Sequence, residues 1–252
     1  PSSGSQPLNK KMGSRLFKPD SEESFTLSRS RVDNFLECPR CFYLTNKLGI
    51  ARPSMFPFNL NNAVDELLKN EFDVYREKQE PHPLLIENKV NAIPYQHPDI
   101  EEWRESLRHG VKRFHEPTNL ILRGGLDDVW IDTKTNQLIV VDYKATSKAG
   151  EVSLDADWQI GYKRQVEFYQ WLLRGNSFDV SDTAYFVYCN GIKEGEFNDQ
   201  LRFKTKLIPY KGNDSWVEPT LMELKACLME KEPPNASESC TYCRYVKKTL
   251  LV

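Results

Sequence analysis

The sequence has 252 residues, 39% of them hydrophobic and 28% charged, with a formal net charge of −2. This is long enough for one large domain with a substantial core. No apolar run approaches the roughly 18 residues needed to cross a bilayer and no secretory pattern opens the chain, so the expectation is a cytoplasmic protein with no membrane role; the near-balanced charge confines any nucleic-acid site to a local patch.

Residues 1–24 are polar, rich in Ser, Gly and Pro and without periodicity, and are expected to be a disordered tail ahead of a single domain over 25–252. "TLSRSRVDNFLE" predicts a helix opened by Ser28 or Ser30, with Val32, Phe35 and Leu36 at helical spacing. After the Pro-bearing connection "ARPSMFP", the stretch "FNLNNAVDELLKNEFDVYREK" predicts a long amphipathic helix ending before "QEPHP". Residues 79–118 predict one short strand ("LLIENKV") and one short helix ("DIEEWRESL"). "TNLILRGGLDDVWID" and "LIVVDYK" predict the two arms of a β-hairpin across the polar turn "TKTNQ". A helix ending at Gly175 ("WQIGYKRQVEFYQWLLRGN"), two strands ("TAYFVYCNG", "LRFKTKLIPY"), a further helix ("SWVEPTLMELKACLME") and a short cysteine-bearing tail complete the chain.

The hairpin carries the chemistry. Placing Ile131 opposite Leu138 leaves Lys134–Thr135 as a two-residue loop and sets Val129 opposite Val140 and Asp127 opposite Asp142. Residues at i and i+2 share a face of a strand, so Asp142 and Lys144 lie on the face that carries Leu138 and Val140. Two aspartates meeting across a sheet repel unless a cation lies between them, and oxygen ligands favour a hard divalent ion, Mg2+ or Mn2+. In this register Gly125 falls opposite Lys144 and is expected to leave open space beside the ammonium. A plain salt bridge between Lys144 and one of the acids explains the same residues without a metal.

Gly124-Gly125-Leu126-Asp127, Asp142-Tyr143-Lys144 and Gln165-Val166-Glu167-Phe168-Tyr169, in that order on strand, strand and helix, resemble the PD-(D/E)xK nuclease superfamily. The likeness is greatest to the branch with RecB, AddB and the CRISPR-adaptation exonucleases. It implies an α/β fold with a restriction-endonuclease-like core, a central mixed β-sheet flanked by helices. It also implies metal-dependent hydrolysis of DNA, on single strands or duplex ends, with repair or adaptation complex subunits as possible partners. Asp127, Asp142 and the Tyr143 carbonyl would hold the metal, Lys144 would act on the water or the transition state, and Gln165 and Tyr169 would support it. Where the family often places a histidine, in a pattern like G-x-x-V-H-E-L-L, this chain has "NNAVDELL", which puts Asp65 forward as a replacement ligand. The alternatives are a non-catalytic DNA-binding or scaffolding module on the same fold, and an RNA- or structure-specific nuclease.

Two C-x-x-C pairs, Cys38/Cys41 and Cys240/Cys243, read as a four-thiolate site for zinc or an iron–sulfur cluster joining the N- and C-terminal ends of the domain. The resemblance adds a 4Fe–4S precedent, although members of that branch usually take one cysteine from the front and three from the back. Arg40, Lys163 and Arg164, with Tyr162 for base stacking, are candidate nucleic-acid contacts.

Overall fold

The computed structural model describes residues 16–53 and 58–250. Three stretches of the reading above therefore lie outside the described residues: 1–15 of the tail, 54–57 of the Pro-bearing connection and 251–252. Among the described residues, the stretch ahead of 25 already packs on the domain. Phe17 is buried, meets Phe25 edge-on at 5.4 Å, and its N–H donates to the Asn46 carbonyl at 2.8 Å.

Strand β1 (Phe25–Ser28) runs straight into helices α1 (Arg29–Glu37) and α2 (Pro39–Lys47). A residue before proline avoids helical backbone, and Cys38, at φ −161°, breaks the two helices apart and projects from the corner. Helix α3 (Asn59–Lys78) is the long amphipathic helix expected; it stops at Gln79, which takes left-handed backbone at φ 53°. The stretch expected as a strand is instead helix α4 (Pro83–Glu87), because Pro83 suits the first turn and His82 Nδ1 caps it by accepting from Leu84 N–H. Strand β2 (Ala92–Pro94), helix α5 (Ile100–Arg104), and strands β3 (Val111–His115) and β4 (Leu120–Gly124) follow. Then come β5 (Asp128–Asp132), β6 (Leu138–Thr146), α6 (Ile160–Gly175), β7 (Thr183–Gly191), β8 (Phe203–Lys211), α7 (Val217–Met229) and α8 (Thr241–Thr249).

The strands form two sheets, a small one in the order β1-β4-β3 and a mixed five-stranded one in the order β2-β5-β6-β7-β8. Only β6 and β7 run parallel in the larger sheet. The first hairpin arm, expected as one strand, is thus two strands of different sheets, parted at Gly124 to Asp127. The β5–β6 register is the expected one, with Ile131 opposite Leu138 and Val129 opposite Val140. The connecting loop differs: Asp132 N–H bonds the Gln137 carbonyl at 2.9 Å, so Thr133–Asn136 forms a four-residue loop. Asp132 Oδ1 holds it by accepting from the N–H of Lys134 and Thr135, and Asn136 supplies the left-handed residue.

Both faces of the larger sheet are covered, which is why β6 reads as an unbroken apolar run. Leu138 and Val140 pack with Val166, Phe168 and Leu172 of α6, whereas Ile139, Val141 and Tyr143 pack with Phe72 of α3 and Leu85 of α4.

Candidate functional site

Asp127 stands on the short crossing between the sheets, and the two glycines before it make the crossing possible. A Cβ on Gly124 would lie 2.5 Å from Tyr169 Cε1, and one on Gly125 would lie 2.6 Å from Ser106 Cα. The bare side of Gly125 therefore meets the Ser106 backbone rather than opening space beside Lys144 as expected. From this crossing Asp127 Oδ2 accepts the Tyr143 backbone N–H at 2.9 Å, which brings its carboxylate onto β6.

Asp142 is fully buried on β6. Its Oδ2 lies 2.5 Å from Lys144 Nζ, and its Oδ1 has no hydrogen-bond partner among the described residues. Burial and then the neighbouring Asp142 charge push the Asp127 carboxyl up to about 6. Burial works against the Lys144 ammonium, but the charges of Asp142 and Asp127 outweigh it and hold its pKa above the usual lysine value. Lys144 Nζ also sits 4.6 Å from the centre of the Tyr162 ring and 3.5 Å from Gln165 Oε1. Gln165 Nε2 donates to the Tyr169 hydroxyl at 3.3 Å, and the Tyr169 ring fills the space left by Gly124. The three sequence motifs thus converge, with Asp127, Asp142, Lys144, Gln165 and Tyr169 linked in one chain of contacts.

Asp65, on the first turns of α3, directs Oδ2 to Lys69 Nζ at 2.7 Å. Burial, and then the charge of Asp127, raise its pKa, which places it beside the same cluster. The carboxylates of Asp65, Asp127 and Asp142 do not close on a common point among the described residues as the cysteines do. Lys69 was not singled out from the sequence, although its i+4 spacing from Asp65 would have found it.

Asp128, next to Asp127, points the other way, as strand alternation requires. It is fully buried and accepts from Tyr143 Oη at 2.7 Å, Arg104 Nη2 at 3.1 Å and Trp130 Nε1 at 3.3 Å, and it pairs with Arg76. Asp73 closes the network with two bonds from Arg104, at 2.8 and 2.9 Å. This network ties α3 and α5 to the hairpin beneath the site. It was not foreseen, since nothing local marks one of two adjacent aspartates as its centre.

At the far end of the domain Cys38, Cys41, Cys240 and Cys243 gather with all four sulfurs within 4.8 Å of one another. Burial pushes the Cys38 thiol up, but N–H donation from the Cys41 and Ser237 backbone outweighs it and holds the thiol at about 6. Arg52 closes the cluster: Nη2 lies 3.9 Å from Cys240 Sγ, the guanidinium is 4.8 Å from the Tyr242 ring centre, and Nη1 bonds Glu37 at 2.5 Å. No spacing in the sequence points to Arg52.

The expected nucleic-acid contacts are scattered. Tyr162 lies under Lys144, and Arg164 pairs with Asp33 at 3.6 Å beside Arg29. Lys163 turns toward the Tyr210 ring at 5.8 Å, and Arg40 donates to the Pro234 carbonyl at 3.2 Å, beside the cysteines.

Residues 26–247 match the family model of the PD-(D/E)XK nuclease superfamily. The chain belongs to that superfamily. Its mixed α/β architecture, with the terminal cysteines drawn together, is the one expected for a superfamily member with a cysteine staple. No curated protein sequence matches the chain. Among solved structures it is similar to a candidate exonuclease from Eubacterium rectale (13% identity, TM-score 0.45, covering 96% of this chain and 94% of that one). It is also similar to the protein SSO0001 (16% identity, TM-score 0.38, covering 90% and 86%). The family match, rather than these likenesses, carries the assignment. As a superfamily member, the chain has a nucleic-acid phosphodiester as its implied substrate, and among the described residues no helix is long and apolar enough to cross a membrane.

Proposed function

We propose that this superfamily member hydrolyses DNA phosphodiester bonds in a RecB-like manner, on single strands or duplex ends, using Mg2+ or Mn2+ held by Asp127 and Asp142. The observation that carries the reading is the meeting of these two carboxylates with the Lys144 ammonium. A buried Asp142 oxygen without a partner is costly as it stands and suits a hard cation, as does an all-oxygen donor set. In this proposal the Tyr143 carbonyl and Asp65, whose carboxyl feels the Asp127 charge, are the further oxygen donors. A divalent cation in this position supplies Lewis-acid activation of the phosphate and lowers the pKa of a water.

The chain's own groups have separable roles in this proposal. Lys144 places a fixed positive charge where negative charge grows on the phosphate, and its buried setting strengthens that interaction. Gln165 and Tyr162 orient the ammonium from two sides, and Tyr169 orients Gln165. Asp127, anchored by Tyr143 N–H, keeps its second oxygen free to ligate.

The test is cleavage of single-stranded and duplex DNA by the purified protein with Mn2+ or Mg2+. Lys144→Ala is expected to abolish cleavage while the protein still folds, melting at a lower temperature because the buried Asp142 loses its counter-charge. An active Lys144→Ala variant, or no cleavage of any DNA, would refute the catalytic assignment; cleavage of RNA alone would move the substrate class.

For the thiolate centre we propose a single zinc ion. Three sulfur contacts, at 3.5, 3.6 and 3.9 Å, lie close to the edge of a tetrahedron with Zn–S near 2.3 Å, about 3.8 Å, and all four sulfurs fall within 4.8 Å of one another. A 4Fe–4S cluster would require the two cysteine arms to spread. Elemental analysis and an absorption spectrum of anaerobically purified protein distinguish the two. Colourless protein with one zinc supports this reading, and brown protein with stoichiometric iron overturns it.

A further inference from the structure

The larger sheet carries the proposed catalytic face beyond Lys144. Lys144 of β6 pairs with Tyr188 of β7, and Tyr188 pairs with Lys206 of β8. One row further on, Thr146 pairs with Asn190, and Asn190 with Lys204. Residues paired across strands present side chains to the same face. Lys204 and Lys206 therefore lie on the face that carries Asp142 and Lys144. Lys206 stands two strand spacings, about 10 Å, from Lys144.

Beside them is a groove of about 650 Å³ between the segment after β6 and the β7–β8 connection, lined by Lys148, Lys193, Lys204 and Lys206 with Glu151 and Glu194. All four lysines are exposed. Lys206 is held at the floor by Glu151 at 3.3 Å and the Val152 carbonyl at 3.3 Å, whereas Lys148, Lys193 and Lys204 make no ion pair among the described residues. Asn190 fixes the wall by accepting from Lys148 N–H at 2.9 Å and donating to the Lys148 carbonyl at 3.1 Å. Four lysines thus converge on one concavity of a chain whose net charge is −2.

We propose that this groove binds the sugar–phosphate backbone of a single nucleic-acid strand flanking the bond at Lys144. The inference rests on the nuclease reading above and extends its substrate contacts. A groove of about 650 Å³ takes about two nucleotides of one strand and is too small to enclose a duplex. Its lining sets four ammonium groups against two carboxylates, with an amide and no aromatic ring, so it grips phosphates and leaves the bases unread. Lys148, Lys193 and Lys204, exposed and without ion pairs among the described residues, are its free positive charges, and Lys206 lies in the same row as Lys144.

The experiment is fluorescence anisotropy of a labelled oligothymidylate in EDTA, where binding is read without cleavage, over a range of salt. The double variants Lys148→Glu/Lys204→Glu and Lys148→Gln/Lys204→Gln are compared with the unaltered protein, each first shown to melt as it does. Loss of two phosphate contacts on a single strand lowers the slope of log K against log salt by about 1.4 in the Gln variant, with affinity down about tenfold. The Glu variant falls further, and a mixed-sequence oligonucleotide loses as much as oligothymidylate. Unchanged affinity and slope in both variants overturn the groove. Lys144→Ala, run alongside, keeps the salt slope of the groove even where cleavage is gone. A groove failure in a protein that still cleaves DNA is thereby separated from a failure of the nuclease reading itself.

Discussion

Asp127→Asn isolates the electrostatic core of the site. In the metal-free protein, burial and the Asp142 charge raise the Asp127 carboxyl to about 6, whereas in the unfolded chain it titrates near 4. The folded state therefore holds this proton more tightly than the unfolded state does. Stability falls as pH rises from about 4 to about 6, and the penalty is fully present above that range. Two pH units at about 1.4 kcal/mol each set an upper bound of about 3 kcal/mol. Solvent at a partly exposed carboxylate reduces this to about 1–2 kcal/mol. Asparagine keeps an acceptor for the Tyr143 N–H and removes the charge. In EDTA at about pH 8 the variant is expected to melt several degrees higher than the unaltered protein, at roughly 2–4 °C per kcal/mol for a chain of this size. Near pH 4.5 the two should converge. Adding Mn2+ should reverse the order at high pH, because the cation stabilises only the protein that binds it. Differential scanning fluorimetry across pH, with and without Mn2+, reads all three comparisons. A variant less stable than the unaltered protein in EDTA at both pH values would refute the claim that the two acids repel across the strands.

Gly124→Ala would drive a methyl group to within 2.5 Å of the Tyr169 ring; we expect a loss of about 1–3 kcal/mol in urea unfolding together with reduced cleavage, since the displaced ring carries Gln165 with it. Asp128→Ala takes the buried carboxylate from Arg76 and Arg104, leaving them only the half-buried Asp73, and a loss of about 3–5 kcal/mol is expected by the same assay; a near-neutral effect would show that water replaces the carboxylate. Arg52→Ala is expected to speed release of the bound metal to a chelator, followed with a zinc-sensitive dye, while Arg52→Lys restores part of the retention through its charge. Equal release rates from all three proteins would reduce Arg52 to a packing residue.

The candidate site was more legible than the fold around it. Strand periodicity put Asp142 and Lys144 on one face, and setting Ile131 opposite Leu138 brought Asp127 to the Asp142 end of the hairpin, although Asp127 itself sits on the crossing just ahead of β5 and is held there by the Tyr143 N–H. Gln165 and Tyr169 came from the resemblance, helical spacing put them on one face, and they are bonded to each other. The misreadings have local causes. Pro83 and the His82 cap made a helix of an apolar run too short for its period to be read. The glycine pair that marks the motif also parts two sheets, because its lack of side chains is used against Tyr169 and Ser106, and neither neighbour is close in sequence. Asp128 and Arg52 act through partners from other elements, and such partnerships leave no periodic trace. Phe17 likewise gains its burial from Phe25, while the polar residues beside it give the stretch a tail-like composition.

The cysteine staple has a consequence for biosynthesis. Cys41 and Cys240 are separated by 199 positions, so at about 5–20 residues per second the ribosome needs roughly 10–40 s to make the second pair of thiols after the first. During that interval Cys38 and Cys41 sit on a nascent chain as an unfinished chelate, open to oxidation or to a loosely held ion. Delivery of the metal is accordingly a late event in the life of each new molecule, and a shortage of it should surface as proteolytic turnover of freshly made chains before any defect is seen in mature ones.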